Sequence, residues 1–280
     1  MKVVILCGGQ GTRLREESEF RPKPLVDIGG RPILWHIMKL FAHHGLHDFI
    51  LCLGYKSQMI KEYFLNYEAM NSDFTIQLGS KHGLTYHGTH AEQNFQVTLA
   101  ETGTDALTGA RIKRIEHHLR KEPFLVTYGD GVSNVDIGKL LAFHRSHGKL
   151  VTVTTVRPSS RFGILELGEN GRVATFAEKP QTDGWASAGF FVCEQGVLDY
   201  LADQDDCAFE QEPMRRLARD GELMAYRHDG FFFAMDTYRE FLFLNDLWKK
   251  GKAPWAVWQN QGTQAMKSPA PSSHRFSPVV

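Results

Sequence analysis

The residues best equipped for chemistry lie between Leu6 and Pro24. Val3, Val4, Ile5 and Leu6 form an unbroken apolar run that suits a strand buried on both faces of a parallel sheet, and the chain passes from it at once into Gly8, Gly9, Gln10 and Gly11. Glycines after a buried strand permit positive φ and let main-chain N–H groups approach an anion with no Cβ in the way, which is the physics of a phosphate cradle. Thr12 adds a hydroxyl donor, and Arg13 adds a planar fork that pairs with phosphate oxygens at two points. Pro22 and Pro24 then bracket Lys23, so that its ammonium is delivered from a stiffened strap as a fixed point charge. Two better-known glycine loops do not fit. Leu14 stands where a dinucleotide fingerprint needs its third glycine, and Thr12-Arg13-Leu14 replaces the Gly-Lys-Ser/Thr that closes a Walker loop.

Two carboxylates are candidates to complete this site. Asp130 sits in Gly129-Asp130-Gly131 at the end of the apolar run Phe124–Tyr128, and Asp236 follows the apolar run Phe231–Met235. Carboxyl ends of sheet strands are where α/β folds place ligand chemistry, and Mg²⁺ that serves substrate phosphates needs only one or two protein carboxylates. Glu178-Lys179-Pro180 offers a stiffened cation beside an acceptor, the pair that a sugar phosphate needs.

The elements that would position these groups follow the rhythm of a doubly wound, mostly parallel Rossmann-like sheet. Pro32 starts a helix ended by Gly45, Asp48–Leu53 is the second buried strand, and Ser57 is the expected N-cap of the next helix. Phe74–Leu78 reads as a third strand, with 79–95 an inserted loop or hairpin and Gln96–Leu99 a short strand. A helix is expected from about Gly109 to Leu119, and Asp130 and Asp236 are expected at equivalent strand ends. Leu150–Val156, Gly163–Leu167, Arg172–Ala177 and Ala186–Cys193 read as strands inserted to build a sugar site. Residues 1–258 form one domain, and 259–280 is a polar tail.

The Gly8-Gly9-Gln10-Gly11-Thr12-Arg13-Leu14 segment with Lys23-Pro24 resembles the signature of the sugar-1-phosphate nucleotidylyltransferases. Supporting segments occur in the family's order: Tyr128-Gly129-Asp130-Gly131, Arg161-Phe162-Gly163, Glu178-Lys179-Pro180, Gly189-Phe190-Phe191-Val192, Glu210-Gln211-Glu212-Pro213 and Met235-Asp236-Thr237. Within that family the stretch to about Trp258 is most similar to the cytidylyltransferases that act on glucose 1-phosphate. The resemblance implies a nucleotide-diphospho-sugar transferase fold and Mg²⁺-dependent transfer from CTP to a sugar 1-phosphate, giving a CDP-sugar and pyrophosphate. It implies Arg13 and Lys23 as catalytic groups, nucleotide contacts at Leu6, Gly8, Gly9, Gln10, Gly11, Thr12, Thr102, Arg111 and Gly129, and Mg²⁺ on Asp130 and Asp236. Arg111 has a helix-surface arginine as its alternative reading. The sugar phosphate falls to Glu178, Lys179 and Ser187, the last standing with Ala188 where the family carries Asn-Gly. That departure leaves the phosphoryl machinery alone and bears on which sugar is taken. Family members are commonly oligomers, so a homo-oligomer is expected.

Bulk properties set the limits. The 32 basic and 32 acidic residues cancel, which gives no global field to recruit nucleic acid or an anionic membrane. No apolar stretch reaches the length of a membrane span and the N-terminus runs straight into a strand, so a soluble cytoplasmic protein is expected. Cys7, Cys52, Cys193 and Cys207 show no paired spacing and read as reduced thiols. His82, His87 and His90 share one loop and are the only weak hint of zinc. A glycosyltransferase on the same architecture would release no pyrophosphate and leaves Gly-Thr-Arg and Lys23 without a task. A non-catalytic sugar-nucleotide-binding subunit would not need all of Arg13, Lys23, Asp130, Lys179 and Asp236.

Overall fold

A computed structural model describes residues 1–11, 14, 17, 19–79, 83–119, 121–158, 164–177 and 184–259. Its centre is a seven-stranded sheet. The strands are β1 (Val3–Leu6), β2 (Asp48–Leu53), β3 (Gln96–Glu101), β4 (Phe124–Tyr128), β5 (Val151–Val156), β6 (Ala186–Cys193) and β7 (Leu223–Arg227). They lie in the order β7-β5-β6-β4-β1-β2-β3, and only β6 runs against its neighbours.

The apolar runs are unbroken because both faces of the sheet are covered. Val3 and Ile5 join one core with the helices α1 (Ile33–His43), α5 (Ile137–His147) and α7 (Tyr238–Lys249). Val4 and Leu6 join the other with α4 (Thr108–Arg114) and α6 (Glu212–Arg219). The remaining helices, α2 (Ser57–Leu65) and α3 (Tyr67–Asn71), flank the β2–β3 edge. Asp136 caps α5 by accepting from the Lys139 N–H, and Gly148 ends it at φ 65°.

Trp255 is fully buried and packs with Trp248 and Trp258 around His36. The His36 ring donates from Nε2 to the Ile28 carbonyl and accepts at Nδ1 from Trp255 Nε1–H, an arrangement that needs the neutral imidazole. Burial accordingly lowers its pKa to about 4.

Several elements differ from the sequence expectation. Phe74–Leu78 does not enter the sheet: Asp73–Ile76 pairs with Leu84–His87 in a separate exposed hairpin, and the third sheet strand on that side is β3. The apolar residues of 74–78 misled because they alternate on one exposed face rather than reaching the core. The α4 helix stops at Arg114, with a 3₁₀ turn at Glu116–His118 finishing the segment. Lys56, at φ 52°, rather than Ser57, precedes α2. Ile164–Leu167 and Val173–Ala177 form a second isolated hairpin. The Phe232–Ala234 strand pairs with Gly131–Ser133 in a short antiparallel ribbon outside the sheet, so Asp130 and Asp236 do not end equivalent strands.

Candidate active site

Leu6, Gly8, Gly9 and Gly11 come off the carboxyl end of β1 and line a cleft together with Lys23, Arg111, Tyr128, Gly129 and Asp130. Gly11 adopts φ 64°, the left-handed conformation anticipated for the loop. Gly8 is needed for a second reason: a Cβ there would stand 2.1 Å from Arg111 Nη1. Gln10 is exposed on the same loop.

Arg111 is the strut of this wall. Only 4% exposed, it donates from Nη1 to the carbonyls of Leu53 at 2.8 Å and Gly103 at 2.7 Å and to Thr102 Oγ1, and from Nη2 to the carbonyls of Gly8 at 3.1 Å and Thr104 at 3.3 Å. A helix-surface arginine is excluded. Thr102 sits behind it, donating to the Leu53 carbonyl at 2.6 Å. One guanidinium thus ties the glycine loop after β1 to the turns after β2 and β3.

The opposite side gathers charge. Lys23 begins a 3₁₀ turn, Lys23–Leu25, entered from Pro22 at φ −64° and closed by Leu25 N–H on the Pro22 carbonyl. The prolines hold the strap in the conformation that the sequence suggested. Asp130 and Asp236 are brought face to face by the antiparallel ribbon, in which Gly131 opposes Ala234 and the Met235 N–H donates to the Asp130 carbonyl. Thr237 caps α7, and Glu240 Oε2 in its first turn accepts from the N–H groups of Asp236 and Thr237. The Lys23 ammonium, nearly buried, then reaches Asp130 Oδ2 at 2.6 Å and Asp236 Oδ1 at 2.7 Å. Burial works against its charge, but the two carboxylates outweigh it and hold the Lys23 pKa above the ordinary lysine value.

Beyond Asp130 lies a second cleft, lined by Thr127, Tyr128, Asp130, Gly131, Ser187, Ala188, Phe232, Ala234 and Asp236. Its floor depends on Gly189: at φ 72° with the Tyr128 ring pressed against it, a Cβ would lie 2.2 Å from that ring. The strand is irregular here, and Ser187 is exposed, its Oγ accepting from the Gly189 N–H.

The two clefts share Tyr128 and Asp130. Asp130 was expected at the site. Tyr128, Thr108 and Glu210 were not singled out, although Tyr128 lines both clefts and Thr108 lines the first. Tyr128 OH donates to Glu210 Oε1, and Thr108 Oγ1 donates to Glu210 Oε2 at 2.5 Å. Burial, with the Glu210 carboxylate in support, raises the Tyr128 pKa well above the usual phenol value. The available signal was the placement of Tyr128 next to Gly129-Asp130 and the acidic Glu210-Gln211-Glu212 segment.

Thr12, Arg13, Glu178 and Lys179 lie outside the described residues, as does His82. His87 and His90 are engaged by Thr75 and Glu68, and no cluster of three or more His, Cys, Asp or Glu side chains suited to a metal occurs among the described residues. No helix there is long and apolar enough to cross a membrane.

The glycine-loop cleft and the second cleft meet at the Lys23–Asp130–Asp236 cluster, and residues 2–258 match the nucleotidyl transferase family model. The chain belongs to that family and is a nucleotidyltransferase enzyme. The glucose-1-phosphate cytidylyltransferase of Salmonella typhi is 48% identical to it over 261 residues, covering 92% of this chain and 100% of that protein. A probable glucose-1-phosphate cytidylyltransferase of Bacillus subtilis is 46% identical over 258 residues, again covering 92% of this chain and 100% of that protein. Among solved structures, a UDP-glucose pyrophosphorylase complexed with UDP-glucose superposes with a TM-score of 0.64 at 15% identity, covering 89% of this chain and 98% of that one. HddC from Yersinia pseudotuberculosis gives a TM-score of 0.63 at 22% identity, with 88% and 99% covered. The expected fold class is therefore borne out, the sheet being parallel except at β6.

Proposed function

We propose that this nucleotidyltransferase joins CTP and glucose 1-phosphate to give CDP-glucose and pyrophosphate. The observation that carries the reading is the Lys23–Asp130–Asp236 cluster, placed where the glycine-loop cleft meets the Ser187 cleft. The choice of CTP and glucose 1-phosphate rests on relatives that share nearly half of the sequence over their full length. A phosphate oxygen of the sugar 1-phosphate attacks the α-phosphorus of CTP. The bond from that phosphorus to the α,β-bridging oxygen breaks, and its electron pair leaves with pyrophosphate. A phosphate monoester is already anionic at neutral pH, so no enzyme nucleophile is required; alignment and neutralisation of two repelling anions is the task.

The residues divide that task. Loop amides of Gly8, Gly9 and Gly11, with Gln10, Thr12 and Arg13, take the β- and γ-phosphates, while Leu6 and Gly129 flank the nucleoside. Arg111 and Thr102 serve the nucleotide by holding the Gly8 and Thr104 carbonyls and their loops in place. Lys23 and Lys179 steady the attacking phosphate, and Glu178 and Ser187 meet sugar hydroxyls. Asp130 and Asp236 are hard oxygen donors already gathered around one cation, the Lys23 ammonium, which is the donor chemistry that Mg²⁺ takes. They would hold that ion, which when bound neutralises charge gathering on the α-phosphate.

The wider setting follows the same reading. Buried Cys7, Cys52 and Cys193, all free, suit the reducing cytoplasm, and the exposed apolar residues Phe74, Ile76, Leu84 and Tyr86 on one hairpin suit a homo-oligomer. Pyrophosphate release is the test, with Mg²⁺ and each of CTP, UTP, dTTP, GTP and ATP set against a panel of sugar 1-phosphates. CTP with glucose 1-phosphate is expected to give the highest kcat/KM. A preference for another pair would move the specificity, and no release with any pair would overturn the reading.

A further inference from the structure

Lys23 stands in a place that the reaction requires for something else. Its ammonium lies within 2.7 Å of one oxygen from each of Asp130 and Asp236, carboxylates that are 107 and 213 residues away from it along the chain. Two carboxylates held this close repel each other. The Lys23 ammonium, in contact with both, offsets that repulsion. Mg²⁺ would approach carboxylate oxygens at about 2.0–2.1 Å, so on Asp130 Oδ2 and Asp236 Oδ1 it would compete with the ammonium for the oxygens that Lys23 holds.

We propose that Lys23 and the divalent cation occupy the gap between Asp130 and Asp236 alternately, so that loading the cation expels the Lys23 ammonium towards the phosphate-binding side of the cleft. This rests on the reading of the aspartates as the metal-holding pair. The strap geometry makes the exchange local: Lys23 is fixed by its proline neighbours at the backbone, while its side chain both meets the carboxylates and lines the glycine-loop cleft, so the exchange needs only a change in the four-carbon stem. The charge arithmetic sets the order of events. In the free enzyme, adding a dication beside the ammonium puts three positive charges against two carboxylates, so the exchange is opposed. When the triphosphate is present, the displaced ammonium acquires phosphate oxygens as partners and the exchange becomes favourable. Cation and nucleotide therefore load together, and Lys23 reaches the phosphates as a consequence of cation binding.

The test is binding of Mn²⁺, read by loss of its free electron paramagnetic resonance signal, to the wild-type protein and to Lys23→Met, each with and without a non-hydrolysable CTP analogue. Lys23→Met keeps the apolar stem and removes the charge. It is expected to bind Mn²⁺ at least tenfold more tightly than wild type when the analogue is absent, and to lose most of the tightening that the analogue confers. Equal Mn²⁺ affinity in the two proteins would overturn the exchange while leaving the metal reading intact; no protein-bound Mn²⁺ in either, with or without the analogue, would overturn the metal reading itself. A second measurement needs no variant. The signal of the ¹⁵N-labelled Lys23 ammonium, followed by NMR, should shift when Mg²⁺ and the analogue are added together but not with the analogue alone; an unchanged signal would count against displacement.

Discussion

On the side proposed for the nucleotide, Gly8, Gly9 and Gly11 line the cleft after β1, and one buried guanidinium ties that loop to the carbonyls of Leu53 and Gly103 at the ends of β2 and β3. On the side proposed for the sugar the lining includes Thr127 from β4, Ser187 from the one antiparallel strand and Phe232 from the ribbon outside the sheet. On the proposed reading such a glycine loop recognises what every nucleoside triphosphate shares, and it tolerates few substitutions because its geometry depends on Gly8 and Arg111. A side-chain wall can be changed one residue at a time. The contrast explains how Ser187-Ala188 can depart from the family's Asn-Gly while the groups at the junction of the clefts are all present.

The largest effect should come where the two sides meet. Asp236→Asn is expected to reduce pyrophosphate release on the order of 10³-fold with either substrate saturating, since it weakens the charge stabilisation that both sides use. Steady-state kinetics at several Mg²⁺ concentrations would check it, and near-normal turnover would remove Asp236 from the junction.

On the nucleotide side, Arg111→Met leaves the Leu53, Gly8 and Gly103 carbonyls without their charged donor. A loss of roughly 3 kcal/mol of stability is expected, with a raised KM for CTP among molecules that stay folded. Urea unfolding monitored by circular dichroism measures the first part. If Arg111 were an ornament of the wall, both quantities would stay near wild type.

His36 tests the tryptophan cluster that closes the core beside α1 and α7. Its pKa falls from 6.5 unfolded to about 4 folded, so the neutral ring belongs to the native state. The unfolded chain binds the extra proton between those values. Stability contributed by the neutral ring is therefore complete above pH 6.5 and declines as pH falls towards 4, by about 3 kcal/mol in total. A His36→Gln variant should show a shallower decline over that window in urea unfolding at a series of pH values.

The smallest effect is expected on the sugar side. Ser187→Ala should change the KM for the sugar 1-phosphate less than about tenfold and leave the KM for CTP alone, because an exposed hydroxyl contributes about one hydrogen bond.

The same contrast decides what could be read from the sequence. The parallel strands β1, β2 and β4 were legible because burial on both faces leaves an unbroken apolar run, and the glycine loop was legible because its chemistry is local. Lys23 between two prolines announced itself for the same reason. Arg111 did not: whether an arginine on a helix points to solvent or into a cluster of carbonyls depends on loops that follow other strands, far away in sequence. The pairing of Asp130 with Asp236 was anticipated, but its cause was misread, because a three-residue strand outside the main sheet has the same apolar appearance as one within it. Tyr128 and Glu210 each stand in a segment that the sequence marks, but they meet across 82 residues, and nothing local to either segment announces that pairing. Phe74–Leu78 was expected as a third strand of the sheet, whereas the strand observed there, Asp73–Ile76, belongs to an exposed hairpin, because apolar residues in a strand do not say what covers them.

The central claim is that the two clefts feed one displacement at the junction marked by Lys23, Asp130 and Asp236. A single-turnover experiment with CTP labelled on its α-phosphate, excess enzyme, Mg²⁺ and glucose 1-phosphate tests it most directly. Label should pass in one exponential phase from CTP into CDP-glucose, with pyrophosphate appearing at the same rate and no label on the protein. A labelled protein intermediate, or pyrophosphate released without the sugar phosphate, would contradict the account.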